Sequence, residues 1–274
     1  MPELPEVQTI VNELIPLVEG KTFKTARIYE DRCIDGRREN FTNALENMKI
    51  TRLYRRGKYL CFALENGSHL TIHLRMTGKL LQHPDKKEQK YIRAKFTFND
   101  KLNIYFVDVR KFGHIQLWPA NEPFLPKLGP EPLDSRVVYK TLESLRSTRF
   151  IKTLLLDQHT LAGVGNIYAD EALFRAGIHP QAHLSEIKPA TLKKLSTELP
   201  RLLIEAIKNK GTTLSDYRTP DSKTGNHQNF LKVYDRKGLP CFTCGTPISR
   251  IVFNGRSSHF CPKCQKKKRN PGKH

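Results

Sequence analysis

Apolar residues recur at helical spacing near the start of the chain. Val7, Ile10, Val11, Leu14, Ile15 and Val18 fall on one stripe, which predicts an amphipathic helix over residues from about 4 to 18. The period then changes. Leu70, Ile72, Leu74 and Met76 alternate with other residues, as do Ala94, Phe96 and Phe98, and a two-residue period predicts strands. Asn66-Gly67 and Asn99-Asp100 supply hairpin turns. A β-sandwich or barrel-like domain with an N-terminal helix follows. Five prolines fall within Pro119–Pro132, too many for a helix or an interior strand, so this stretch reads as a linker. Beyond it the pattern is helical over Leu142–Asp157, Ile167–Ala176 and Pro189–Lys208, with the glycine-rich turn Leu161–Asn166 between the first two. Residues 211–230 are polar and aperiodic and predict a mobile surface loop. The expected organisation is α+β and multidomain: residues 1–118, a linker 119–132, a helical domain 133–235 holding the 211–230 loop, and a small module 236–270.

Charge narrows the class of partner. The formal net charge of +20 points to a polyanion. Nucleic acid fits better than a membrane, because no segment has the uncharged apolar run that a bilayer crossing needs. Charge alone leaves a basic ribosome-associated factor as an even alternative. The N-terminus opens with acids and prolines, unlike a secretory leader.

Four of the six cysteines form Cys241-x2-Cys244 and Cys261-x2-Cys264, sixteen residues apart. Each Cys-x2-Cys turn can present two thiolates to one tetrahedral ion, and the spacer accommodates a hairpin. A full set of sulfur ligands leaves no open position, which makes one structural Zn2+ the expected occupant, in a reducing, bacterial-type cytoplasm. Cys61, inside an apolar run, reads as a core residue. From Arg236 to His274 there are ten Lys or Arg and no acid, including the run Lys266–Arg269, so the module is expected to meet phosphates.

Met1-Pro-Glu-Leu-Pro-Glu6 carries the candidate chemistry. Removal of Met1 would leave Pro2 with a terminal secondary amine. An α-amino group has an ordinary pKa of roughly 8, so a useful fraction is neutral and nucleophilic near pH 7. Such an amine attacking a sugar C1′ expels the base and leaves an iminium ion, which acidifies the C2′ proton. Glu3 is placed to protonate the opening sugar ring, and Glu6 to hold the terminal ammonium or a water. The same residues also suit an ordinary helix start, since proline and acids are favoured in a first turn.

Six motifs bear on that alternative: Pro2–Val7, Arg56-Gly-Lys-Tyr-Leu60, His73-Leu-Arg-Met-Thr-Gly78, Asp108-Val-Arg-Lys-Phe-Gly113, Leu161–Glu171, and the four-cysteine finger with Gly255-Arg256. In this order and over essentially the whole chain, the sequence resembles the bacterial formamidopyrimidine-DNA glycosylases, within the wider group shared with endonuclease VIII. The resemblance implies an N-terminal helix plus β-sandwich, a helix–two-turns–helix domain and a C-terminal four-cysteine zinc-finger hairpin. It implies a monomeric bifunctional DNA glycosylase and AP lyase that excises oxidised purines from duplex DNA and also acts on abasic sites.

Roles carry over by position. The resemblance makes Pro2 the Schiff-base nucleophile, Glu3 the acid, Lys58 the lysine assisting β-elimination and Arg256 the finger arginine supporting δ-elimination. Glu6 and Glu171 are supporting residues. Lys152 and Asn166 are expected at phosphates near the lesion. Met76, Arg110 and Phe112 match the trio that fills the void left by an extruded nucleotide. Read alone, Lys58 also suits a solvated turn and Met76 plain core packing. The chain departs from the family pattern at Glu88–Ile92, at Gly225-Asn-His-Gln228 and at Gln8. An endonuclease VIII-like enzyme for oxidised pyrimidines is the nearest rival; that branch commonly has Gly where Leu4 stands here. A non-catalytic zinc-finger DNA-binding protein is the rival from another class.

Overall fold

The structure is a computed structural model and describes residues 1–122, 124–125, 127–214 and 217–267. Pro123 and Pro126 of the linker, Ser215 and Asp216 of the 211–230 loop, and Lys268, Arg269 and Asn270 of the basic module therefore lie outside the described residues.

The chain forms two compact units, one of residues 1–126 with 206–228 and one of residues 127–205 with 229–274. In the first, the predicted stripe forms α1 (Leu4–Val18), whose Val7, Ile10, Val11, Leu14 and Val18 are all buried. The chain continues through β1 (Phe23–Ile28), α2 (Arg38–Leu45), β2 (Ile50–Arg56), β3 (Tyr59–Leu64), β4 (His69–His73), β5 (Lys79–Leu81), β6 (Ile92–Phe98), β7 (Asn103–Val107) and β8 (His114–Trp118). The strands make two four-stranded antiparallel sheets, ordered β1-β6-β7-β5 and β2-β3-β4-β8. Phe23, Phe96, Phe98 and Ile104 of one sheet share a core with Leu53, Phe62, Leu70 and Ile72 of the other and with the α1 stripe. This is the expected β-sandwich: the two apolar sheet faces and the helix exclude water together.

The second unit holds α3 (Ser135–Ser144), α4 (Ile151–Leu156), α5 (Asn166–Ala176) and most of α6 (Pro189–Lys208), then the hairpin β9 (Ser249–Phe253) and β10 (Arg256–Phe260). Two expectations change. The single helix over Leu142–Asp157 is two helices, because residues 145–150 leave the helical path. Arg149 N–H donates to Ser147 Oγ at 3.1 Å, and Phe150 bridges to His183. Short polar side chains that bond nearby backbone compete with helix formation, and apolar spacing alone does not register them. The 211–230 loop is placed by its polarity on the surface of the helical domain, but its residues 211–214 and 217–228 group with the first unit, and Thr212, Tyr217, Thr219 and His227 are buried. Its polar groups are paired internally: Thr213 N–H donates to Gln228 Oε1 at 3.0 Å and Gly225 N–H to Thr213 Oγ1 at 2.9 Å.

Candidate active site

Pro2 is buried directly ahead of α1, while Met1 is 48 % exposed. Glu3 is the N-cap in extended backbone and forms a reciprocal capping box with Glu6: Glu3 N–H donates to Glu6 Oε2 at 2.8 Å, and the Glu3 side chain accepts from Glu6 N–H. The residues that suit a helix start do make one. Both carboxylates are nevertheless buried, at 3 % and 2 % exposure, where a surface helix start would leave them in water. The other oxygen of Glu6, Oε1, accepts from Thr212 N–H at 2.7 Å. Gly211 lies so close that a β-carbon there would stand 2.7 Å from Glu6 Oε1, and its φ of +74° is left-handed. Glu6 thus ties the N-terminus to the 211–212 turn. Tyr217 closes the same corner, its hydroxyl donating to Lys210 O at 3.2 Å.

Lys58 occupies the turn between β2 and β3, where Gly57 takes φ +57° and Arg56 pairs with Tyr59. A solvated turn lysine is excluded, because Lys58 is only 6 % exposed. Across the sheet from Tyr59 stands His73, its ring edge-on to Tyr59 at 4.6 Å and its Nδ1 accepting from Arg75 N–H at 3.0 Å. Burial pushes His73 down to about 3, and the charges of Arg75, Lys58 and His114 push the same way. At neutral pH this imidazole is uncharged, with its hydrogen on Nε2 because Nδ1 is the acceptor. His73 carries no role in the sequence reading; its place in the His73–Gly78 motif is the available signal. Gln8, the departure in the first helix, accepts from Arg55 Nε at 2.9 Å and donates to Asn12 at 2.8 Å, a neutral link along α1.

The strand alternation that makes Met76 a core candidate stops at Leu74. Strand β4 ends at His73, Leu74 is buried, and Met76 is 43 % exposed in the following turn. Arg110 donates from Nη1 to Met76 Sδ at 3.2 Å, and Phe112 is 58 % exposed. The structure brings Met76 and Arg110 together on a surface where large apolar groups are costly without a partner. Asp108, fully buried, organises this loop. Its Oδ1 accepts from Thr77 Oγ1 and from Arg110 N–H (3.2 Å), and its Oδ2 from Gly113 N–H at 2.7 Å. A side chain at Gly113 would collide with the Phe106 ring and Asp108. Sequence reasoning misses Asp108 because a single acid among basic residues reads as solvated. In the departing segment, Lys79 Nζ pairs with Glu88 at 2.8 Å, and Tyr91 O accepts from Asp108 N–H at 2.9 Å.

In the second unit the four cysteine sulfurs lie within 4.8 Å of one another, with Sγ pairs at 3.4, 3.5 and 4.0 Å. Tetrahedral Zn–S bonds of ~2.3 Å require sulfurs about 3.8 Å apart, so the donor set fits one zinc. Zinc there is structural, as four thiolates fill its coordination. Arg256 opens β10 and is exposed beside a cavity of about 200 Å³ that Arg149, Thr153, Asn254 and Ser258 also line. Glu171 is buried, its carboxylate accepting from the N–H groups of Lys232 (2.9 Å), Val233 (2.8 Å) and Tyr234 (2.8 Å), which fastens the chain entering the finger to α5. Burial raises its pKa, opposed by those three N–H groups.

Lys152 and Asn166 each have protein partners in the second unit. The expectation sets both against DNA phosphates. Lys152 is 1 % exposed, ion-paired with Asp170 at 2.6 Å, and donates to Ser257 O at 2.7 Å and Ser258 Oγ at 2.6 Å. Lys152 also lines the cavity beside Arg256. Asn166, the first residue of α5, donates from Nδ2 to the same Ser257 O at 3.0 Å. A helical lysine and a glycine-flanked asparagine look alike from sequence whether they meet a phosphate or a carbonyl.

Three family models match the chain: the formamidopyrimidine-DNA glycosylase N-terminal domain over residues 1–115, the formamidopyrimidine-DNA glycosylase H2TH domain over 128–218, and the zinc finger found in FPG and IleRS over 238–267. Among curated relatives, a formamidopyrimidine-DNA glycosylase of Solibacter usitatus is 43 % identical, covering 97 % of this chain and 100 % of its own. Among solved structures, the MutM (Fpg) protein of Thermus thermophilus is 40 % identical with a TM-score of 0.87, covering 98 % of this chain and 100 % of its own. The Lactococcus lactis Fpg, solved in complex with an abasic site containing DNA, is 34 % identical with a TM-score of 0.86, covering 97 % and 100 %.

Proposed function

The chain belongs to the formamidopyrimidine-DNA glycosylase family, and on that premise we propose that it excises oxidised purines, 8-oxoguanine and formamidopyrimidines, from duplex DNA and then cleaves the strand at the abasic site. Its partner is double-stranded DNA holding an oxidised base or an abasic site. It acts as a monomer in a bacterial-type cytoplasm; no helix among the described residues is long and apolar enough to cross a membrane.

The observation that carries the proposal is the burial of Glu3, Glu6 and Lys58 in one unit with a proline that needs only the loss of an exposed Met1 to become an amine. In this reading the neutral Pro2 nitrogen attacks C1′ of an extruded deoxyribose and the glycosidic bond breaks, the base leaving with its electron pair and taking up the proton that the Pro2 nitrogen sheds. Glu3 gives a proton to the ring oxygen as the C1′–O4′ bond opens, leaving an iminium between Pro2 and C1′. Loss of a C2′ proton then expels the 3′ phosphate, with Lys58 assisting. A second elimination, supported by Arg256, expels the 5′ phosphate and leaves a one-nucleotide gap. Met76, Arg110 and Phe112 occupy the void in the stack, since an unpaired orphan base and an empty step are both costly.

Borohydride added during incubation with an 8-oxoguanine duplex tests this directly. The expected outcome is a covalent complex through Pro2 that disappears when an unprocessed Met1 blocks the amine. Faster turnover on an oxidised-thymine duplex than on 8-oxoguanine would move the enzyme to the pyrimidine branch.

A further inference from the structure

One carbonyl in β10 collects two side chains from the helices. Ser257 O accepts from Lys152 Nζ at 2.7 Å and from Asn166 Nδ2 at 3.0 Å. The next two residues are held by the same group of side chains: Ser258 Oγ accepts from Lys152 at 2.6 Å, and His259 N–H donates to Asp170 Oδ2 at 2.8 Å. Asp170 in turn pairs with Lys152 at 2.6 Å. Lys152, Asp170 and Ser258 are each at most 1 % exposed, and all the participants lie in one unit. Three consecutive residues of β10, immediately after the exposed Arg256, are thereby fixed to α4 and α5. The zinc ligands nearest in sequence, Cys261 and Cys264, lie beyond this point and hold the other end of the strand.

From this we infer that Lys152, Asn166 and Asp170 are positioning residues for Arg256: they clamp the main chain at Ser257–His259 so that the arginine is presented from a fixed strand. A buried lysine paired with a buried aspartate is an expensive way to make a phosphate contact, because the attraction that offsets desolvation is already spent on the pair. It is a sound way to fix a β-strand end, since an ammonium with three directional donors reads a carboxylate, a carbonyl and a hydroxyl at once. Arg256 sits on a two-stranded hairpin, an element that is only marginally stable by itself. Holding its backbone within a fraction of an ångström is therefore a real requirement for any group that must meet one particular phosphate.

The inference rests on the lyase reading above for the role of Arg256, but not for the clamp. The test uses full-length, zinc-loaded protein and two variants. Ser258→Ala removes one acceptor of Lys152 from a buried side chain. Lys152→Arg keeps the charge but puts a planar fork where a compact ammonium meets Asp170, Ser257 O and Ser258. On an abasic duplex the expected result for both is a δ-elimination rate lower by about fivefold. Borohydride trapping and β-elimination should stay within about twofold, and zinc content at wild-type level. Amide hydrogen exchange at residues 256–259 is expected to quicken in Ser258→Ala, a readout that needs no catalysis. Wild-type product partition and wild-type exchange in Ser258→Ala would overturn the clamp, as would a Lys152→Arg protein indistinguishable from wild type, the outcome a phosphate ligand gives. If Lys152→Arg does not fold, Ser258→Ala decides alone. Failure of the wild-type protein to trap at all would sink the glycosylase reading, while the exchange pattern would still judge the clamp.

Discussion

Glu6 and Thr212 stand 206 residues apart and share a 2.7 Å hydrogen bond, donated by the backbone N–H of Thr212 to the Glu6 carboxylate. The same carboxylate accepts Glu3 N–H at 2.8 Å. One side chain therefore sets both the N-cap of α1, where Pro2 and Glu3 are carried, and the start of the 211–230 loop. Glu6→Ala leaves two buried N–H groups without acceptors, at a cost of about 1–3 kcal/mol each. The expected outcome is a fall in thermal midpoint together with slower single-turnover excision. Glu6→Gln keeps the oxygen but converts the other acceptor to a donor facing an N–H, so it should fall between the two. A Glu6→Ala protein with wild-type midpoint and rate would show that the bond to the loop does not matter.

Asp108 makes a sharper prediction, because it fixes the loop of Arg110 without itself being exposed. Asp108→Asn keeps one acceptor oxygen and loses the charge that Thr77, Arg110 N–H and Gly113 N–H share. Void-filling residues matter for extruding an intact nucleotide and matter less where the base is already gone. Excision from an 8-oxoguanine duplex is expected to drop by at least about tenfold while trapping on an abasic duplex changes little. Equal losses on both duplexes would locate the defect in chemistry or folding instead.

These two residues mark the boundary of what the sequence makes legible. The α1 stripe, the alternation in β6 and the Cys-x2-Cys pairs all follow from local spacing, and the structure has them where spacing puts them. Met76 is ambiguous because a strand's period does not say where the strand stops; the answer lies in the left-handed Arg75, φ +52°, which turns the chain out of the sheet. Asp108, Asp170 and His73 are silent because their roles depend on partners distant in sequence, such as Thr77 and Lys152. Lys152 is half legible for the same reason: its charge is visible, its aspartate is not. Residues 211–230 look like a surface loop because their polar groups find partners through folding, as Thr212 does with Glu6.

Acid should weaken this protein through His73 before its carboxylates titrate. The folded state holds His73 down at about 3, and His179, also buried, at about 4, whereas an unfolded chain returns both to about 6.5. Between those values the unfolded state binds more protons, so stability rises with pH across the window and is lost as pH falls from about 6.5. Each uncompensated proton contributes a slope on the order of 1.4 kcal/mol per pH unit. Denaturant unfolding between pH 4.5 and 7 is expected to show a slope smaller by about one proton for His73→Gln than for wild type. A His73→Gln slope equal to wild type would mean that the imidazole is protonated in the folded state.

Zinc removal gives the last prediction, and its reach follows from what surrounds the cysteines. Cys241 and Cys261 share a small cluster with Val233 and Ile248, which is too little apolar surface to fold a hairpin without the metal. Removing the ion leaves four thiolates to repel or protonate, so β9 and β10 should loosen and Arg256 lose its fixed strand. Glu3 and Lys58 belong to the other unit, whose sandwich core contains none of the four cysteines. A strong chelator is therefore expected to release one zinc per chain and to weaken binding to an abasic duplex by more than about tenfold, with added zinc restoring it. The unfolding signal of the sandwich should remain. Cys244→Ser should mimic the chelator without it. Full DNA affinity in metal-free protein would show that the finger contributes no grip on the strand.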